Sequence, residues 1–177
     1  IRAFLETFSS RPIGDDFKFD RYSSQRDDRE VSLVTHERYL PPLGALIQNL
    51  KPLNLLTIGS LFGTTESYVL QCCGGRGFLQ TITICDLDIS EYNPRRDNGS
   101  LVLRNICGTG YGGHESTFTL IRGSSRWPDV AKIIEACGPF DLAFVDGEHT
   151  AEAVYADINL AAKCLNPCGT ILVHDTS

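Results

Sequence analysis

The densest group of reactive side chains in this sequence is Asp146-Gly147-Glu148-His149, three titratable groups in four positions directly after an apolar run at 142–145. Ionisable groups at the end of a buried segment cost desolvation unless they serve a site, although a charged surface loop has the same composition. A second pair, His174-Asp175, follows the apolar run at 170–173. Asp146 and Asp175, at neighbouring strand ends, make an oxygen donor set for one hard divalent cation such as Mg²⁺. Glu148, His149 and His174 then stand within reach as a general base or as further ligands. A structural zinc site would call for paired Cys/His motifs, and the sequence has no C-x-x-C pair.

Three further clusters follow apolar runs. Gly59-Ser60-Leu61-Phe62-Gly63 is a G-x-x-x-G turn leading into helical sequence. Such glycines let the backbone approach a ligand near a helix amino terminus, and they equally serve a tight turn with no ligand. Asp86 stands 23 positions after Gly63. There a Rossmann-like fold places the carboxylate that accepts hydrogen bonds from ribose hydroxyls; a helix cap is the alternative. Arg122-Gly123-Ser124-Ser125 follows the third run, placed either to meet a base edge or to cap the next helix.

Positioning these clusters requires alternating elements. Apolar runs at 53–58, 78–85, 118–121, 142–145 and 170–173 read as strands, and periodic segments at 65–73, 101–107, 128–137 and 151–165 read as helices. In the last helix Val154, Ile158, Ala161, Ala162 and Leu165 form the expected apolar stripe. Strands without in/out alternation suit a parallel sheet covered on both faces, a doubly wound α/β architecture of order 3-2-1-4-5. Its ligands bind beyond the carboxyl ends of the strands, where all five clusters fall. Upstream, Pro41-Pro42 is expected to split residues 31–50 into two short helices. Residues 1–30 read as a polar amino-terminal extension and 31–177 as one domain.

The chain of 177 residues carries 16 Lys+Arg against 22 Asp+Glu, a net charge of −6. That excess argues against a nucleic-acid partner, which needs clustered cations. No apolar run is long enough to span a membrane, so the expected location is cytoplasmic. Seven cysteines, with no C-x-x-C pair, read as reduced and mostly buried. The start at Ile1 and the absence of methionine read as a piece of a longer product.

The stretches LLTIGSLFGTT, TICDLD, LIRGSS, FDLAFVDGEHTAEAVYAD and LNPCGTILVHDTS together resemble the class I S-adenosylmethionine-dependent methyltransferases, most nearly the macrocin-type and catechol-type small-molecule O-methyltransferases. The resemblance implies a Rossmann-like fold in which Gly59, Ser60 and Gly63 line the methionine half of S-adenosylmethionine, Asp86 holds its ribose, and Gly123 and Ser124 flank its adenine. It also implies that Asp146 and Asp175, with His174 beside them, bind a cation that orients a small hydroxylated acceptor, and that Glu148 or His149 removes the acceptor's proton. The family's closing helix and β-hairpin would lie beyond Ser177, and an uncovered edge at strand 5 would favour a homo-oligomer or pairing with further sequence. Thr57 stands where the family usually has an acid that grips the cofactor's amino group.

Three other readings compete. A nicotinamide-dependent oxidoreductase would need G-x-G-x-x-G and a Tyr/Lys proton donor, which are missing, and a metal hydrolase would leave Gly59 and Asp86 without a role. A non-catalytic methyltransferase-like module, binding a nucleoside or a protein partner, suits the threonine at position 57 and is the alternative to an enzyme.

Overall fold

The computed structural model describes residues 33–60, 63–73, 78–86 and 117–174, with the side chains of some helix and strand-end residues left aside. Along the chain these form α1 (Leu33–Leu50), β1 (Asn54–Ile58), α2 (Thr64–Cys73), β2 (Thr81–Asp86), β3 (Thr117–Arg122), α3 (Pro128–Cys137), β4 (Phe140–Val145), α4 (Ala151–Cys164) and β5 (Leu165–Val173). The expected helix at 101–107 lies outside the described residues, as does Asp175.

The five strands form one parallel sheet in the order β3-β2-β1-β4-β5, as expected for a doubly wound fold. Its two faces bury separate clusters. Leu55, Ile82, Ile84 and Leu142 pack with Leu40, Leu43 and Ile47 of α1 and Val69, Leu70 and Cys73 of α2. On the other face Leu56, Ile58, Cys85, Ala143 and Val145 pack with Val130 and Ile134 of α3 and Leu160, Ala161 and Cys164 of α4. Adjacent residues of one strand thus feed opposite layers, which is why these strands show no polar alternation.

Pro41 and Pro42 do not split α1, which continues through both. An interior proline costs a helix about 3 kcal/mol. Leu40, Leu43 and Ile47 are each at most 4% exposed, and burying each contributes about 1.5–3 kcal/mol, so docking of this one face is of the size needed to offset the two prolines. The stripe of α4 is also displaced from expectation: Ala153, Asp157, Leu160, Ala161 and Cys164 are buried, whereas Val154 and Ile158 are only partly covered and Ala162 is exposed. A rotation of one residue follows from where α3 and the sheet lie, which helical periodicity alone does not contain. Strand β5 begins earlier than expected, with a register shift that accommodates Asn166–Gly169 before regular pairing resumes at Thr170. Of the described cysteines, all free, Cys73, Cys85 and Cys164 are buried, Cys72 and Cys137 half-buried, and Cys168 exposed. No helix among the described residues is long and apolar enough to cross a membrane.

At the amino-terminal edge of the sheet a polar clasp ties three strands. Asp141 at the start of β4 accepts from the Leu53 and Asn54 amides at 2.8 and 3.0 Å, and from Asn166 Nδ2 of β5 at 2.6 Å. Burial disfavours its charge, but the hydrogen bonds from Asn54, Asn166 and Leu53 outweigh that effect and hold its carboxyl below the usual range. A carboxyl lowered on folding stabilises the fold above its unfolded value and loses that contribution as pH falls through the folded value. Asp141→Ala is therefore expected to lower unfolding free energy by about 1–3 kcal/mol at neutral pH. Urea midpoints compared across pH should show the wild-type advantage shrinking below the ordinary value of 3.8.

Candidate functional site

At the opposite edge the backbone ladder continues past the strands. Gly59 N donates to Cys85 O at 2.8 Å, Asp146 N to Ile58 O at 2.8 Å, Gly123 N to Asp86 O at 2.8 Å, and His174 N to Val145 O at 3.0 Å. The first residue after each of four strands is thereby held in sheet register, and the four sequence clusters containing them share one edge. Gly59 adopts φ +83°, and a Cβ there would lie 2.2 Å from the Asp146 carbonyl oxygen, so the chain after β1 crosses the end of β4 only with glycine at this position. Gly63, also at positive φ, closes the turn by donating from its amide to Ser60 O at 3.1 Å.

The expected residues divide into those that meet and those that turn elsewhere. Asp146 Oδ1 lies 3.0 Å from His174 Nδ1, with about a fifth of each side chain exposed. Nδ1 is not placed for a well-formed hydrogen bond to that oxygen, so the contact is an ion pair when the imidazole is protonated. Among the described residues no cluster of three or more His, Cys, Asp or Glu could hold a metal, and the third expected donor, Asp175, lies outside them. The described donors are one carboxylate and one imidazole, a pair that suits several divalent metals.

Glu148 is exposed and already engaged. Its carboxylate accepts from the Arg126 guanidinium through Oε2 and from Thr150 Oγ1 at 3.1 Å through Oε1. His149 is exposed beside it. Ser124 serves the turn into α3: its hydroxyl accepts from Arg126 N at 3.3 Å, and its carbonyl from Trp127 N at 2.9 Å. Asp86 is half-buried at the end of β2, beside the Gly59 turn.

Two carboxylates of this edge are absent from the sequence expectations. Asp157 of α4 is 3% exposed, accepts a hydrogen bond from Ser125 Oγ, and lies with Oδ2 3.1 Å from where a Gly147 Cβ would stand. It ties the loop after β3 to α4 and lies close against the loop after β4. Burial pushes its carboxyl up, while Ser125 and Arg126 oppose the rise. Spacing held the signal, since positions 153, 157, 160, 161 and 164 fit a helical stripe as well as the chosen set.

Glu66, in the first turn of α2, is 0% exposed. Its Oε2 accepts from Ser60 Oγ at 2.8 Å, while Oε1 is buried without a well-formed hydrogen bond. Thr57, also fully buried, falls by strand alternation on the α2 face with Leu55, and its hydroxyl is close enough to favour the carboxylate. Burial pushes the Glu66 carboxyl from 4.5 up to about 7, against the favourable influence of its own amide, the Ser60 hydrogen bond and the nearby Thr57 hydroxyl, and the Asp86 charge adds to the rise. Nothing in the local sequence marks this residue, because an acid in the first turn of a helix is ordinary on an exposed face.

A carboxyl that binds its proton more tightly when folded favours the fold fully below its unfolded value, and the advantage is lost as pH rises through the folded value. Glu66→Gln keeps the shape without ionising. It should be more stable than the wild type above the folded value of about 7, by on the order of 3 kcal/mol, with the gap closing below the unfolded value of 4.5. Denaturant midpoints measured over that range check this, and a gap independent of pH would contradict it.

Comparison with known proteins places this geometry. The family model described as a methyltransferase domain matches residues 56–176, well over half of the chain. No curated protein matches the sequence. Among solved structures, the O-methyltransferase TomG from Streptomyces achromogenes, involved in tomaymycin synthesis and solved with SAM, has a TM-score of 0.58 at 16% identity over 77% of this chain and 55% of its own. The O-methyltransferase from Bacillus cereus in complex with SAH gives 0.59 at 17% identity, covering 97% of this chain and 64% of its own. The SAH-bound Podospora anserina methyltransferase PaMTH1 gives 0.60 at 17%, covering 97% and 66%. At such identities the likeness is one of fold, and the chain spans less than two thirds of each of these structures. With a family match that runs from β1 past the end of β5 over a sheet of this order, the chain belongs to the methyltransferase domain family.

Proposed function

We propose that this chain is the cofactor-binding core of an S-adenosylmethionine-dependent O-methyltransferase that acts on a small hydroxylated molecule. The observation that supports it most is the ladder that continues past four strands and brings the Gly59–Gly63 turn, Asp86, Gly123 and Asp146 to one edge. In this reading Gly59, Ser60 and Gly63 bound the methionine half of the cofactor, Asp86 accepts from the ribose hydroxyls, and Gly123 and Ser124 flank the adenine. Asp146, His174 and Asp175 hold a divalent cation. The cofactor supplies a methyl group on a sulfonium, and the cation supplies Lewis acidity toward the acceptor hydroxyl. The chain's own contribution is to orient the two reacting groups and to accept the hydroxyl proton. Glu148 or His149 takes that proton, and the oxygens of Glu148 also accept from Arg126 and Thr150.

The same engagement of Glu148 favours the second reading, a module that binds a nucleoside without transferring a methyl group. Calorimetric titration with S-adenosylhomocysteine, with and without Mg²⁺ and with NAD as control, separates the alternatives when paired with methyl transfer to catechol as a probe acceptor. Asp86→Ala should weaken S-adenosylhomocysteine about 10- to 100-fold, as loss of charge-assisted hydrogen bonds does. Asp146→Ala should keep that binding within about threefold and abolish transfer. Binding of NAD in place of S-adenosylhomocysteine would overturn the proposal, and tight binding with no transfer would favour the module.

A further inference from the structure

Glu66 has no part in the site as proposed, yet its surroundings are those of a site residue. It is wholly buried, and its carboxylate sits at the ligand edge rather than within an apolar layer, between the Ser60 hydroxyl, the Thr57 hydroxyl and the field of Asp86. Oε1 is left without a well-formed hydrogen bond. Such burial costs stability, and a core position would be better filled by an apolar side chain of similar size.

The hydrogen bond to Ser60 determines what Ser60 can offer. A hydroxyl has one hydrogen and two lone pairs. Ser60 commits its hydrogen to Glu66 Oε2 at 2.8 Å, which leaves only acceptor capacity for anything that enters the Gly59–Gly63 turn. An acceptor backed by a carboxylate suits a cationic donor and disfavours an anionic one. Thr57, across from Glu66, brings no charge of its own.

We infer that Glu66 is a positioning residue that, acting through Ser60, selects the ammonium group of the cofactor's aminoacyl end, and so supplies from helix α2 the charge that strand β1 lacks at Thr57. The inference rests on the proposed S-adenosylmethionine site. A carboxyl held near neutrality is suited to this role, because an arriving cation draws it toward the charged form.

The test uses two ligands that differ at that end: S-adenosylhomocysteine, which carries the amino acid, and 5′-methylthioadenosine, which does not. Calorimetric titration of the full chain should show Glu66→Gln losing affinity for S-adenosylhomocysteine by about tenfold or more while changing 5′-methylthioadenosine by less than about twofold. Ser60→Ala should show the same selective loss, and the double variant no greater loss than either single one, because both act through one hydrogen bond. Asp86→Ala should weaken both ligands. An equal loss of both ligands in Glu66→Gln, no loss of either, or additive losses in the double variant overturns the role of Glu66 and leaves the cofactor reading standing. A wild-type chain that binds neither ligand overturns the cofactor reading and this inference together. Thermal unfolding of each variant confirms that the loss is not one of folding.

Discussion

Hydrogen bonding between parallel strands does not stop where the strands do, and the ligand edge of this protein depends on that continuation. The amides of Gly59, Asp146, Gly123 and His174 each donate to a carbonyl of the neighbouring strand's last residues. Each residue that begins a loop is therefore placed by the sheet, whose interior is buried on both faces and resists deformation. A loop anchored this way inherits the precision of the sheet for its first residue and loses it with distance along the chain. The residues nearest the strand ends meet across the edge, as Asp146 and His174 do, whereas Glu148, two residues further on, turns to Arg126 and Thr150.

Two carboxylates buried behind this edge do a different job. Asp157 ties the loop after β3 to helix α4, and Glu66 ties the turn after β1 to helix α2. Both are raised by burial, so both oppose the stability of the fold at neutral pH relative to an uncharged side chain. Acids in such places restrict the conformations of the hydroxyls they hold. Ser60 and Ser125 are each oriented by a carboxylate behind them, an arrangement of outer groups that aim inner ones. The clasp at Asp141 is the counterpart at the other edge, where well-made hydrogen bonds lower the carboxyl and stabilise the start of β1.

Much of this was legible in the linear sequence. Uninterrupted apolar runs bounded by Gly, Pro or Asp identify buried parallel strands because both faces of such a strand meet apolar layers. Helix α3 falls on the expected residues 128–137, with proline at its start. The order 3-2-1-4-5 follows from alternation and handedness, since right-handed crossovers leave few arrangements open. Less was legible wherever a local cost competes with packing. Pro41 and Pro42 argue against a continuous helix, and the burial of Leu40, Leu43 and Ile47 overrides them. Helical spacing in α4 admits two stripes one residue apart, and only the position of its neighbours selects the one containing Asp157.

The sequence by itself thus determined the parallel α/β architecture, the strand order and, for β1, β4 and β5, the residue that stands first beyond the strand, because period, glycine placement and chirality are local properties of the chain. What only the tertiary structure decided is which polar groups face one another. Glu66 reaches Ser60 and stands near Thr57 because α2 packs on the face of β1 to which Thr57 points, and Asp157 reaches Ser125 because α4 packs beside α3, which Ser125 shortly precedes. Pairings of this kind join elements through space, and no periodicity along the chain encodes the distance between side chains that meet only when layers close.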